Sequence, residues 1–171
     1  MANLSCCFTG HRIIPSRIVP NLYRTLLEEI EILSAVGYTE FYAGGALGFD
    51  TLAAQAVLQK RTENPNLHLH LILPCKNQQI HWHIRQQKVY ETILEQADSF
   101  EYVSEIYSPQ AMRKRNCLLV ENSHFCLCYL HRGKSGTAST VKYALRLNRG
   151  VKNLYEEMPA DILQPHDEDY F

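Results

Sequence analysis

The stretch Ala43-Gly44-Gly45-Ala46-Leu47-Gly48-Phe49-Asp50 sets three glycines and a carboxylate where an apolar run, Phe41-Tyr42, hands over to a helix-like segment, Thr51 to Lys60. Glycine there lets the backbone reach positive φ and lets a ligand come close to the main chain. The free N–H groups of a helix start favour an anion such as a phosphate. A second turn, Phe8-Thr9-Gly10-His11-Arg12, closes the first apolar run, and a third, Arg132-Gly133-Lys134-Ser135-Gly136-Thr137, closes a later one. One such turn is weak evidence. Three of them, each at the end of a predicted strand, point to one shared pocket for a phosphate-bearing ligand.

Within that pocket each residue type has a role and a plainer alternative. Thr9 and Gly10 make a tight strand-to-helix turn, with or without a ligand. His11 and Arg12 follow at the carboxyl edge of the strand, where an arginine suits bidentate phosphate or carboxylate binding and is equally at home as a surface cation. Gly44, Gly45 and Gly48 match neither the dinucleotide G-x-G-x-x-G spacing nor a Walker A loop. Asp50 either caps the helix beginning at Thr51 or offers its carboxylate to a ribose or base, and the two roles are compatible. Ser135, Gly136 and Thr137 open a helix and can give hydroxyl and main-chain hydrogen bonds to phosphate, or form an ordinary N-cap. Arg113 and Asn116 are three apart and share a helix face with Arg115 beside them, a pattern that, from spacing alone, a solvated face explains better. Trp82, the single tryptophan, either stacks on a base or anchors packing.

The elements that position these turns follow from periodicity. Leu4 to Phe8 reads as a buried strand. Ser16 is placed to cap a helix from Arg17 to Val36, whose Leu22, Leu26, Leu27, Ile30 and Leu33 recur at helical spacing, and Gly37 stops it. Glu40 to Ala43 is a strand, then the glycine turn and the helix Thr51 to Lys60. Leu67 to Leu73 is a third strand, followed by a polar helix from Trp82 to Ala97 and a short strand from Phe100 to Val103. Ser108-Pro109 opens a helix that ends at Glu121 or Asn122. His124 to Leu130 is a fifth strand, Thr137 to Leu147 a helix, and Val151 to Tyr155 a last strand. The tail from Glu156 is acidic, reads as irregular and is expected to be loosely held. Strands alternate with helices throughout, which argues for a mostly parallel sheet covered on both faces: a Rossmann-like three-layer α/β/α sandwich, with a core over about residues 4–155 in a single domain of 171 residues. Ligands in such folds bind beyond the carboxyl ends of the strands.

Composition narrows the function. A net charge of −1 gives no global electrostatic case for nucleic acid. No segment approaches the roughly 20 apolar residues that span a bilayer, and the start of the chain lacks the basic region of a signal peptide; a cytoplasmic protein that makes no use of a membrane is expected. None of the six cysteines shows C-x-x-C spacing; most lie in apolar strands, where reduced, buried thiols are expected. Among the eight histidines, His68 and His70 share a strand face, but no carboxylate joins them at a ligand spacing, so no metal and no bound cofactor is expected. A homo-oligomer stays open.

Taken together, Cys7-Phe8-Thr9-Gly10-His11-Arg12, the Gly44 to Asp50 turn, Arg115-Asn116 and Ser135-Gly136-Thr137 resemble the YpsA-like branch of the SLOG superfamily, over residues 4–155. The resemblance implies a Rossmann-like fold with a pocket for a nucleotide or nucleotide-derived ligand, held by those residues. Relatives include phosphoribohydrolases of the LOG type, which activate cytokinins, and the DprA protein, which handles single-stranded DNA; YpsA-like proteins have been linked to bacterial cell division. LOG-type enzymes carry a Pro-Gly-Gly-x-Gly-Thr loop followed closely by a catalytic glutamate. Here Thr137 is followed by Ala138-Ser139-Thr140, and no carboxylate appears before the helix ends. A binding module, sensing a nucleotide-like ligand, is therefore the leading expectation. An N-glycosidic hydrolase using Asp50, Glu121 or His11, and a DprA-like binder of single-stranded DNA, are the alternatives.

Overall fold

The computed structural model describes residues 3–164. Strands and helices alternate: β1 (Leu4–Gly10), α1 (Val19–Ala35), β2 (Tyr38–Ala43), α2 (Phe49–Arg61), β3 (His68–Cys75), α3 (Ile84–Gln96), β4 (Ser99–Ser104), α4 (Pro109–Glu121), β5 (Phe125–Tyr129), α5 (Gly136–Arg146) and β6 (Gly150–Asn153). A 3-10 turn, Leu154–Glu157, and a short helix, α6 (Ala160–Leu163), follow. The six strands form one sheet in the order β4-β3-β2-β1-β5-β6, and every neighbouring pair is parallel. The expected Rossmann-like α/β architecture is therefore what the chain adopts.

Side-chain alternation divides the strands between two cores. On β1, Cys6 and Phe8 face a core shared with α1, α2 and α3, where they meet Leu22, Leu26, Phe41, Phe49 and Ile93. Cys7 faces the other way, with Cys126 and Cys128 of β5, against Leu119 and Val120 of α4 and Val141 and Ala144 of α5. Right-handed crossovers explain the division. Strands β1 to β4 step outward in one direction, so α1, α2 and α3 lie on one face. The chain then crosses back, β5 takes the free side of β1, and α4 and α5 cover the opposite face. The reversal leaves a crevice above the carboxyl ends of β1 and β5, where such sheets bind ligands.

Several boundaries differ from the sequence-based expectations. Helix α1 begins at Val19 rather than Arg17, and its N-cap is Ile18, not Ser16; Pro20 in the first turn supplies the start by lacking an N–H that would need a partner. Helix α3 begins at Ile84, with His83 as N-cap in a reciprocal capping box with Gln86, which places Trp82 in the loop before it. Helix α2 begins at Phe49 with Gly48 as N-cap, so Asp50 sits inside the first turn instead of capping it. The tail is not irregular from Glu156: Met158 is buried, and the Ile162 carbonyl accepts a hydrogen bond from Arg17 Nε at 3.0 Å. The last part of that acidic tail, 165–171, lies outside the described residues.

The cysteines are free thiols, and all but the half-buried Cys117 are buried. Burial pushes the Cys128 thiol up to about 12, so it carries no thiolate reactivity near neutral pH. His68 and His70 each meet a carboxylate from elsewhere in the chain: His68 Nδ1 lies 3.3 Å from Asp98 Oδ1 and His70 Nε2 lies 2.6 Å from Glu40 Oε2. No helix of the described residues is long and apolar enough to cross a membrane.

Phe8 is fully buried, stacks on Phe41 with ring centroids 6.0 Å apart and meets Phe49 edge to face at 6.5 Å. Its strand ends at the crevice, so Phe8 couples core packing to the position of the Thr9–Arg12 turn. Phe8→Ala is expected to lower the unfolding free energy by about 3–5 kcal/mol, measured by urea denaturation.

Candidate functional site

At the crevice, a cavity of about 290 Å³ is bounded by Phe8 to Arg12 at the end of β1, Ala46 and Asp50 after β2, Met112, Arg115, Asn116 and Leu119 of α4, and Ser135 to Thr137 after β5. Ten of the sequence-predicted residues thus meet around one space: Thr9, Gly10, His11, Arg12, Asp50, Arg115, Asn116, Ser135, Gly136 and Thr137. Gly44, Gly45 and Gly48 stand behind this wall and do not line it.

Their positions show what those glycines admit. A Cβ on Gly44 would collide with the guanidinium of Arg115 and come within 2.9 Å of Asp50 Oδ2. Gly48 has φ +75°, and a Cβ there would strike the Arg12 carbonyl. The first glycine lets Arg115 reach the end of β2. The second lets the start of α2 close on the β1 turn, where the Phe49 N–H donates to the His11 carbonyl at 3.1 Å.

Arg115 is the feature that spacing hid. Spacing alone suits it to a solvated helix face, yet it is 4% exposed. From α4, on one face of the sheet, it extends over the sheet edge to the start of α2 on the other. Its Nη1 donates to the Gly44 carbonyl and lies 3.6 Å from Asp50 Oδ2. Its Nε is buried without a partner among the described residues. Asp50 is buried as well, 6% exposed, and Oδ2 accepts from the Ala46 N–H at 3.2 Å. Burial pushes the Asp50 carboxyl up, opposed chiefly by the Arg115 guanidinium and the Ala46 N–H.

The other walls add donors and a cation. Ser135 caps α5, its Oγ accepting from the Ala138 N–H at 3.1 Å. The N–H groups of Gly136 and Thr137, first in that helix, find no acceptor among the described residues. Asn116 stands close by: its Nδ2 lies 3.9 Å from where a Gly136 Cβ would be. Arg12 is exposed at the mouth, and among the described residues it pairs with no carboxylate; its Nη2 is 4.0 Å from Met112 Sδ. Met112, Arg115, Asn116 and Leu119 recur at helical spacing, a signal that would have added Met112 and Leu119 to the predicted set.

His11 ties the two switch-point strands together. Its Nε2 accepts from the His131 N–H at 3.1 Å, which fixes the proton of the neutral ring on Nδ1. The rings of His11 and His131 are 4.4 Å apart. Burial, then the nearby His131 and Arg132, pushes the His11 imidazole down from its ordinary range; burial and Arg132 do the same to His131. Glu121, one of the three groups considered for catalysis, lies away from the cavity and accepts from Tyr143 Oη at 2.7 Å.

Comparison with known proteins gives the family and the fold. A family model described as the YspA SLOG family (YpsA) matches residues 17–167, so the Thr9–Arg12 turn precedes the matched stretch. A UPF0398 protein of Halalkalibacterium halodurans is 28% identical over 144 residues, 82% of this chain and 73% of the relative. Among solved structures, DNA processing protein A (DprA) from Streptococcus pneumoniae superposes with a TM-score of 0.64 at 15% identity, covering 87% of this chain and 49% of that one. The Helicobacter pylori DprA, described for its single-stranded DNA binding mode, gives 0.62 at 20% identity, over 86% and 63%. At these identities the likeness to DprA is one of fold, and the chain spans about half the length of the pneumococcal protein.

Two outcomes are expected from this geometry. Asp50→Asn leaves the buried Arg115 without its counter-charge and should destabilise the fold by about 3–5 kcal/mol; adding Arg115→Met should recover part of that loss, as a double-mutant cycle in urea would register. The second concerns pH. The unfolded chain protonates histidine near pH ~6.5, whereas folded His11 and His131 resist protonation. The unfolded state then binds more protons, so stability falls as pH drops below that value and is retained above it. Urea midpoints between pH 5 and 8 should show this slope, and His11→Gln should flatten it.

Proposed function

The chain belongs to the YspA SLOG family, and from that premise we propose that it binds a nucleotide or nucleotide-derived ligand in the crevice above β1 and β5, acting as a sensor or regulatory module. The observation that carries this reading is Arg115: a guanidinium 4% exposed, with an unpartnered Nε, lining a cavity that the N-terminus of α5 also faces. A buried cation with an unsatisfied donor favours an anion that completes its hydrogen bonds. The open Gly136 and Thr137 N–H groups are suited to the same anion. Around the cavity, Arg12 and Arg115 outnumber the single carboxylate, Asp50, so a net positive charge remains for a phosphate. Asp50 retains acceptor capacity for a ribose hydroxyl, and the cavity volume of about 290 Å³ suits the phosphoribosyl part of a nucleotide.

Binding without turnover is favoured because the Asp50 carboxylate is already engaged by the Ala46 N–H and Arg115, and no carboxylate follows Thr137 in α5. One observation favours a second reading, hydrolysis of an N-glycosidic bond: Asp50 is the carboxylate that lines the cavity, where it would face an oxocarbenium-like centre.

Calorimetry against nucleoside monophosphates, diphosphates and ADP-ribose should find saturable binding. Arg12→Ala, at an exposed position, should weaken it by about 10- to 100-fold, as expected for loss of one charged hydrogen bond. Absence of binding across the panel overturns the proposal. Release of free base from a bound nucleotide, abolished by Asp50→Asn, replaces it with the hydrolytic reading.

A further inference from the structure

Beside the main cavity is a smaller recess that the phosphate-binding reading leaves unused. This recess, about 60 Å³, shares Arg12, Ala46 and Met112 with the main cavity and is closed by Gln78, Trp82 and Tyr107. Its walls come from the loops after β3 and β4 and from α4, so it lies above the carboxyl edge of the sheet, on the side of β1 away from α5. By itself it is too small for a ligand of nucleotide size. Adjoining the larger space, it suits one flat ring.

We propose that this recess is a nucleobase subsite, in which Trp82 and Tyr107 contact the face of a base whose phosphoribosyl end lies against Arg115 and the start of α5. The inference rests on the nucleotide-binding reading above and adds the placement of the base. Trp82 is half-buried and its ring is braced nearly perpendicular to Tyr90, centroids 5.4 Å apart. Its backbone is held too: the N–H donates to the Gln79 carbonyl at 2.9 Å, and the carbonyl accepts from Gln87 Nε2 at 2.8 Å. An indole held in this way loses little freedom on stacking. Tyr107 is 62% exposed, leaving apolar ring surface that a base would cover. Met112, with an adaptable thioether, lies between the two spaces. Arg12 lines both and is placed to stack on the base or to meet the phosphate.

Gln78 supplies direction. Its Nε2 donates to the Gly45 carbonyl and to Tyr90 Oη, each at 3.3 Å, which orients the amide. Its Oε1 makes no hydrogen bond among the described residues and is free to accept from an exocyclic amine or ring N–H of the base. The β2 turn and the recess are thereby linked, since one amide touches the Gly45 backbone and faces the base.

Trp82 is the single tryptophan of the chain, so fluorescence excited selectively at tryptophan, beyond the absorption of the ten tyrosines, reports on this recess alone. The four common nucleoside monophosphates, ribose 5-phosphate and inorganic phosphate would be titrated by fluorescence and by calorimetry. At least one nucleotide should change Trp82 emission saturably, with a midpoint matching its calorimetric affinity. Ribose 5-phosphate should bind without changing the emission. Trp82→Leu, and separately Tyr107→Ala at its exposed position, should weaken nucleotide binding by about 10-fold, the scale of one base–aromatic stack, and leave ribose 5-phosphate affinity unchanged. Nucleotide binding with unaltered emission and unaltered affinity in both variants overturns the subsite while the binding reading stands. Equal loss of nucleotide and ribose 5-phosphate in both variants overturns it as well, by showing a structural role. Absence of any binding by nucleotide, ribose 5-phosphate or phosphate removes both proposals together.

Discussion

The buried pair of Asp50 and Arg115 is the constraint around which the carboxyl edge of this sheet is arranged. The two residues come from helices on opposite faces, α2 and α4, and meet above the end of β2. Taking both charges out of water is costly, and only close partners make it tolerable. Their surroundings supply these: the Ala46 N–H and the nearby guanidinium for Asp50, and the Gly44 carbonyl for Arg115. Gly44 has no side chain because the guanidinium occupies that space. The glycine turn is thus shaped as much by what the protein puts there as by any ligand.

One donor of this arrangement stays unsatisfied among the described residues, Arg115 Nε, and Arg115 lines the same cavity as the helix start whose N–H groups find no acceptor there. A folded protein tolerates few such groups, and those that persist tend to be where a ligand or water completes them. Fold topology dictates where this occurs. The chain reverses direction across the sheet at β1, so β1 and β5 are neighbours whose following segments diverge to opposite faces. His11 bridges that divergence by accepting from the His131 N–H, and its suppressed protonation keeps the acceptor available at neutral pH.

Family and fold converge without supplying a ligand. The YspA SLOG match covers most of the chain, and the DprA structures share its architecture at low identity. The crevice itself sets two arginines around one carboxylate and beside an open helix start, with an aromatic recess next to it. On α5 no carboxylate follows Thr137, while Asp50 of α2 places one at the cavity.

The sequence by itself determined the alternation of strands and helices, because side-chain periods of 2 and 3.6 are written along the chain. It also determined that the Thr9–Arg12, Gly44–Asp50 and Ser135–Thr137 turns fall at strand ends, because glycine and capping residues mark such ends locally. Ser108 and Ser135 were legible as helix starts for that reason, whereas Ser16 and Asp50 were misplaced as caps, since Pro20 and Gly48 set those starts instead. Only the tertiary structure decided that Arg115 is buried, that Asp50 faces it and that Trp82 belongs to a loop beside the cavity. Asp50 and Arg115 come from elements far apart in the chain, and spacing within a helix cannot show which face meets a neighbour from across the sheet. His70 makes the same point on a smaller scale: its partner, Glu40, comes from an adjacent strand that no local pattern names. Local propensity is encoded residue by residue, but a buried charge pair exists only once the right-handed crossovers have brought two helix layers over the same strand end.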